Sequence, residues 1–356
     1  MPKVTFENIA INSTAKKKPT EQDKDTYIGL EHLDPQCLEV TRFGGDVAPI
    51  GEKLLMKKGD VLFGKRRAYQ KKVGIAPFDG IFSAHGLVLR PKEEVITKEF
   101  FPFFISSDYF LDKAIEISVG SLSPTINWSD LKKLEFNIPE IDKQKEYAPI
   151  LWAFNDTKNK YLKLLADLNL LINSQFIEML NELSEDDFIS LGKIIKYKEK
   201  STIKAGEGKD EGLYPFFTSS NNLTKRIDSF IYDDECIILG TGGKASVNYY
   251  DGKFATSTDN FTFKAINDYL TNFVYRYLLV NIDILQKGFK GVGIQHISKD
   301  YVNEIKIPKI SKEGQEEIIE RIELLDKSKF EIEQALENLK KSQKSLLDEI
   351  FSSDNL

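Results

Sequence analysis

The chain has two cysteines among 356 residues, Cys37 and Cys236, far apart and in no Cys-x-x-Cys pair. That spacing offers neither a disulfide framework nor a zinc site, and both are read as buried thiols. Three histidines, His32, His85 and His296, are too scattered to suggest a metal motif or a catalytic triad. No apolar run approaches the roughly 18 residues of a spanning helix. The start, "MPKVTFENIA", lacks the apolar region of a signal peptide. A cytoplasmic protein without membrane contact is the expectation. No Pro-Pro pair occurs, although an adenine methyltransferase would place one after its catalytic Asn or Asp, beside an aromatic, to hold a flipped base. The Gly-rich "GTGGKA" (240–245) fails as a phosphate loop: Ile238 stands where the first Gly is required, and Ala245 where Ser or Thr is required. No catalytic and no metal-binding residues are therefore assigned.

Positive charge is scarce overall, with a net charge of -6, which argues weakly against a nucleic-acid partner. The average hides segregation. Between Lys53 and Lys72 eight cations face one acid, Asp60, whereas from Lys312 to Glu349 eleven acids face seven cations. At 41% hydrophobic and 29% charged residues the composition is that of a globular protein, long enough for two domains.

The chain also repeats itself. "VTFENIAIN" (4–12) resembles "ISLGKIIKY" (189–197), "DVLFG" (60–64) matches "CIILG" (236–240), "FSAHGLVLRP" (82–91) matches "TSTDNFTFKA" (256–265), and "LEFNIPEI" (134–141) matches "NEIKIPKI" (303–310). Order is kept while the offset falls through 185, 176, 174 and 169 positions. This is a duplicated domain with shortened loops, not a solenoid of 20–50-residue units. Within each copy, short apolar runs between Gly, Asp and Asn read as strands. Residues 98–117 and 268–286 read as helical from their Phe, Tyr and Leu spacing.

Each copy then ends in a long amphipathic helix. Tyr147, Ile150, Phe154, Thr157, Tyr161, Leu164, Leu168, Leu171 and Gln175 fall at spacings of 3 and 4. Ile322, Leu325, Lys329, Ile332, Leu336, Leu339, Gln343, Leu346 and Ile350 do the same. Two such stripes in one chain most simply cover each other, as an antiparallel rod roughly 50 Å long at about 1.5 Å per residue. The expected fold is α+β: two similar mixed α/β domains (1–140 and 185–308) joined by two long helices (141–184 and 309–356) that form an antiparallel coiled coil.

Two similar heads on a rigid spacer suit a target with two similar features, and double-stranded DNA, with half-sites roughly 34 Å apart, is such a target. Cations would fix register on phosphates, and Arg, Gln and Asn side chains would read base edges. The candidate DNA contacts in the first copy are Lys65, Arg66, Arg67, Tyr69, Gln70, Lys71, Lys72, Ser83, His85, Thr125 and Asn127. In the second they are Gly240, Thr241, Gly242, Lys244, Ser246, Ser257, Asp259, Asn260, Lys290 and Gln295, with glycines that let backbone amides approach phosphate. His85 and Asp259 occupy matched positions, as base readers or as satisfied polar groups at a strand end. Asn127 and Gln295 are read as a second matched pair.

The doubled pattern of a strand ending in Gly, "FSAHGLVLRP", then "GSLSPTINWSDLKKLEFNIPEIDKQ" leading into a long helix resembles the specificity subunit of type I restriction-modification systems. The most specific part is the twofold strand-Pro-helix junction, "IPEIDKQKE" and "IPKISKEGQEE", each with a Gln soon after the Pro. The resemblance covers essentially the whole chain. It implies a non-catalytic subunit that recognises a bipartite DNA sequence and uses its helices as a ruler. It also implies two adenine-N6 methyltransferase partners using S-adenosylmethionine and ATP-driven restriction subunits, with no cofactor on this chain. A subunit serving a combined nuclease-methyltransferase chain, or a coiled-coil adaptor that does not read DNA, are the alternatives.

Overall fold

The computed structural model describes residues 3–181, 183–293 and 295–352. It divides into two compact units: Met1–Tyr161 with Gln334–Leu356, and Leu162–Glu333. The first unit is built on a four-stranded antiparallel sheet of β1 (Ala10–Ser13), β2 (Val61–Phe63), β3 (Val73–Ile75) and β4 (Leu87–Pro91), in the order β1-β4-β2-β3. In the second unit β5 (Ile195–Tyr197), β6 (Cys236–Gly240), β7 (Ser246–Tyr250) and β8 (Asn260–Ala265) pair in the same order, β5-β8-β6-β7. The sequence repeat is thus a repeat of topology.

The matched runs "DVLFG" and "CIILG" are the inner strands β2 and β6, and they are apolar without alternation because both faces are covered. Val61 and Phe63 enter one core while Leu62 enters another with Ile28, Met56 and Phe82. Ile237 and Leu239 part from Cys236 and Ile238 in the same way. Burial pushes the Cys236 thiol up to about 11. Cys37, expected to be buried as well, is only half-buried, and its Sγ lies 3.4 Å from the Glu39 carbonyl.

Each unit adds a second four-stranded sheet with one parallel pairing, Tyr27–Ile28 beside Gly80–Phe82 and Tyr214–Phe217 beside Lys253–Thr256. A short ladder closes each copy, Lys3–Thr5 on Glu135–Asn137 and Phe188–Ser190 on Lys306–Pro308. The two segments read as single helices are each two: Phe101–Ser106 then Asp108–Glu116, and Thr271–Val280 then Ile282–Lys287. Ser107 makes the first break. Its backbone is extended and its Oγ accepts the Phe110 N–H at 3.2 Å, an N-cap that spacing of apolar residues cannot reveal.

Two long helices follow, α1 (Ile141–Asn181) and α2 (Lys312–Phe351). In the first unit Ala148 and Leu151 of α1 share a core with Ile350 and Phe351 of α2; in the second, Ile172 and Phe176 of α1 share one with Ile319 and Ile322 of α2. Within each unit the two helices therefore run antiparallel. Phe351 stacks on Tyr109, ring centroids 5.0 Å apart. Phe176 lies 6.1 Å from Phe273. The helix ends are thus core elements of the two units.

The stripe inferred from spacing is partly displaced. Ile322 and Leu336 are buried, and Tyr147, Phe154, Tyr161, Leu168, Leu325, Ile332, Leu339 and Leu346 are half-buried, but Leu164 and Leu171 are exposed. The most covered row of α1 is Gln144, Ala148, Leu151, Asn155 and Lys158. Three of these five are polar, so a search for apolar periodicity passes over them. Lys158 Nζ donates to the Gln36 carbonyl and Asn159 Nδ2 to Glu39 Oε2 (2.7 Å), which fastens this side of α1 to the segment at residues 36–39.

Candidate nucleic-acid interface

The segment after β2 begins at Gly64, where the chain leaves the sheet. Ile126 N–H donates to the Lys65 carbonyl (2.9 Å), Arg66 N–H to the His85 carbonyl (3.2 Å) and Arg67 N–H to the Pro124 carbonyl (2.7 Å). Arg67 has a left-handed backbone, φ 53°. These bonds clamp the cationic loop between the turn before β4 and the hairpin around residues 119–125. They leave the side chains of Arg66 and Arg67 exposed, with Arg66 Nη1 3.4 Å from His85 Nε2 and Arg67 Nε 3.4 Å from Ser123 Oγ.

The electrostatics follow from this crowding. Partial burial, then the charge of Lys16, holds the Lys65 ammonium below the usual lysine range. Partial burial, then the charges of Arg66, Lys65 and Lys53, holds His85 below the ordinary histidine value. A neutral His85 can accept from Arg66 through Nε2 and still donate from its other nitrogen, which makes it a bifunctional group for a base edge. Proton NMR titration of His85 is expected to give a midpoint below about 6.5, and Arg66→Ala should raise it. An unmoved midpoint in that variant would remove the coupling.

Not all the cations of the loop face outward. Lys71 Nζ sits between Asp108 Oδ1 (2.7 Å) and Asp112 Oδ1 (2.8 Å), and Lys344 of α2 takes Asp108 Oδ2 (2.8 Å). Lys72 Nζ donates to the Leu30 carbonyl at 2.7 Å. Both belong to the scaffold in this structure. Tyr69 is exposed, while Gln70 and Thr125 are half-buried. Ser83 is buried and accepts the His85 N–H (3.3 Å), so it shapes the turn rather than facing solvent.

In the second unit the equivalent loop is held alike. Thr241 N–H donates to the Asp259 carbonyl (2.9 Å), Gly243 N–H to the Gln295 carbonyl (3.0 Å) and Ile297 N–H to the Thr241 carbonyl (3.2 Å). Two amides of this glycine-rich loop, those of Thr241 and Gly243, are thereby occupied and not open to phosphate. Gly240 is a packing glycine: a Cβ there would lie 2.2 Å from Ser246 Oγ and 2.9 Å from Ser219 Cα. Ser246, Ser257 and Asn260 are interior, with Asn260 Nδ2 donating to Ser257 Oγ at 2.9 Å. The exposed members of the set are Lys244, Asp259, Lys290 and Gln295, while Gly242 and Thr241 are half-buried.

Backbone pairing also corrects one match. The bridge Arg66↔Thr125 corresponds to Gly242↔His296. Hence Asn127, which precedes the helix Trp128–Leu131, matches Ser298 before Lys299–Glu304, and Gln295 matches Pro124. The residues that spacing passed over are Lys16, Lys53, Ser123 and His296. The exposed His296 ring places Nδ1 3.2 Å from the Thr241 carbonyl. Only its position just before the repeated junction could have flagged it.

A family model for the type I restriction modification DNA specificity domain matches the chain twice, over residues 13–167 and 184–341. Among curated proteins, the type I restriction enzyme EcoDI specificity subunit of Escherichia coli is 27% identical over 163 residues, 45% of this chain and 36% of that relative. A crystal structure of a type I restriction-modification S subunit from M. genitalium is similar with TM-score 0.63 at 18% identity, covering 99% of this chain and 96% of that one. A second solved structure, described as the structural basis underlying complex assembly and conformational transition of the type I R-M system, gives TM-score 0.58 at 16% identity over 99% and 98% of the chains.

Proposed function

Because the chain belongs to the type I restriction modification DNA specificity domain family, we propose that it reads a bipartite DNA sequence, one half-site with each unit. The observation that carries this reading is the pair of matched frameworks with unlike loops. After β2 the chain presents Lys65, Arg66 and Arg67 with His85 beside them; after β6 it presents Lys244 and Asp259 on a glycine-rich loop. Two frames kept alike while their contact groups diverge suit two different sequences, since loops on a rigid scaffold are where specificity resides.

In this reading the chain is non-catalytic. It recruits two adenine-N6 methyltransferase subunits and the restriction subunits, which would carry S-adenosylmethionine and ATP, and it works in the cytoplasm. Among the described residues no helix is long and apolar enough to cross a membrane. The test is co-expression with an adenine-N6 methyltransferase subunit that forms a stable complex with it, and mapping of N6-methyladenine across host DNA. A split motif of fixed gap that vanishes without this chain is the expected result; a stable complex that adds no methylation would replace the reading with that of an adaptor.

The helices supply the gap. Each begins in one unit and ends in the other, so removing one heptad from each is expected to shorten the unspecified gap while leaving both half-site sequences as they were. Methylation still found at the original spacing would defeat the ruler.

A further inference from the structure

Beside the clamped loop of each unit stands a small hairpin that the reading above leaves unused. In the first unit Val119 and Thr125 exchange backbone bonds (3.0 and 2.9 Å), and Gly120, φ 115°, starts the tip. In the second Lys290 pairs with His296, and Gly291, φ 135°, starts the tip. Both backbone angles lie where glycine is favoured, but the tips differ beyond them: Val292 stands at the position of Ser121, and Gly293, φ 89°, stands at the position of Leu122. Each tip carries an aliphatic side chain in open solvent: Leu122 is 91% exposed and Val292 107%.

Single exposed aliphatic residues are ordinary. Two of them, one in the tip of each hairpin beside a clamped loop though not at the same position of the turn, mark both hairpins with an apolar side chain. The Leu122 hairpin holds that loop through Ser123 and Pro124, the Val292 hairpin through Gln295 and His296. An aliphatic tip among polar and cationic neighbours gains nothing from water or phosphate. The apolar feature that duplex DNA offers to such a neighbourhood is the C5-methyl group of thymine, which lies in the major groove. That groove, about 12 Å wide, admits a two-stranded ribbon, whereas the minor groove at about 6 Å does not unless it is forced open.

We propose that Leu122 and Val292 are specificity residues that read a thymine methyl group in the major groove, one in each half-site. The proposal rests on the DNA reading above and extends it. Any half-site that offers an adenine for N6-methylation offers a paired thymine, so the target group is present in both.

The experiment uses the full chain in complex with its methyltransferase and duplexes carrying the mapped split site, with each thymine replaced in turn by uracil, which removes only the methyl group. For the wild type, one replacement in each half-site should weaken binding about fourfold, the value of one buried methyl. Leu122→Ser should bind the thymine and uracil duplexes of its half-site equally, and Val292→Ser should do so for the other. Leu122→Val should keep part of the discrimination. Wild-type binding indifferent to every uracil, or serine variants that still discriminate, would overturn the proposal. So would loss of a DNA bend in Leu122→Ser without methyl sensitivity, because the side chain would then be a wedge. If the wild type did not prefer the split site over a scrambled duplex, the DNA reading itself would fail, an outcome separate from indifference to uracil.

Discussion

Replacing Lys65, Arg66 and Arg67 together by Ala is expected to weaken binding of the split site by roughly a thousandfold, about 4 kcal/mol, as phosphate and base contacts of one half-site are lost. The slope of log K against log salt should fall by about 3, since each phosphate contact contributes close to one unit through counterion release. The geometry sets these three, which lie on the clamped loop, apart from the two cations that follow them. Lys71 and Lys72 are tied to Asp108, Asp112 and the Leu30 carbonyl. The lone acid of the stretch, Asp60, does not offset the loop, because both its carboxylate oxygens are held by Arg90 Nε and Nη2 at 2.7 and 2.8 Å. Arg66 and Arg67 are exposed, so their loss should barely touch stability. The contrast lies in the second unit, where Lys244→Ala removes one exposed cation and should lower the slope by only about one. Filter binding or fluorescence anisotropy from about 50 to 200 mM salt reads both. A triple variant with the wild-type slope would mean that this loop does not touch the DNA backbone.

What could be read from the sequence was what repeats, and what could not was what each side chain touches. The inner strands are legible because "DVLFG" and "CIILG" are apolar on both faces, and the long helices because spacings of 3 and 4 continue for about eight turns. Lys71 was misjudged because its partners, Asp108 and Asp112, lie 37 and 41 residues away and no local pattern reports them. Asn127 was matched to Gln295 by amide chemistry, while the backbone matches it to Ser298, because both precede the short helix that leads into the repeated junction. Ser246, Ser257 and Asn260, named as contacts from their place in the repeated segments, are interior, and Asn260 Nδ2 bonds to the Phe217 and Ser257 carbonyls and to Ser257 Oγ. The repeat and the run of cations locate the loops; the fold separates the cations that point outward from those that hold the scaffold.

The repeated glutamine after each junction is the feature both levels share, and it carries the second large effect. Gln144 and Gln315 are fully buried, each within the first turns of its long helix. Gln144 Oε1 accepts the Thr97 N–H (2.7 Å) while Nε2 donates to the Val95 and Pro139 carbonyls (both 2.8 Å). Gln315 repeats this with the Leu270 N–H (2.9 Å) and the Asp268 and Ile310 carbonyls (3.0 and 2.9 Å). One amide thus satisfies three backbone groups and fixes the start of the helix against the loop before Phe101–Ser106 or Thr271–Val280. Gln144→Leu keeps the volume but strands those three groups away from water, at about 1–3 kcal/mol each before relaxation. A net loss of about 3–5 kcal/mol follows, among the largest for one substitution. Both tryptophans, Trp128 and Trp152, belong to the first unit. Urea unfolding followed by tryptophan fluorescence should therefore shift strongly in Gln144→Leu, whereas Gln315→Leu should lose helical circular dichroism first and fluorescence later. Equal shifts of both signals in both variants would show that the two units unfold together. A wild-type midpoint in Gln144→Leu would show that the helix is held by its apolar face alone, and the repeated Gln would then have no structural reason to recur.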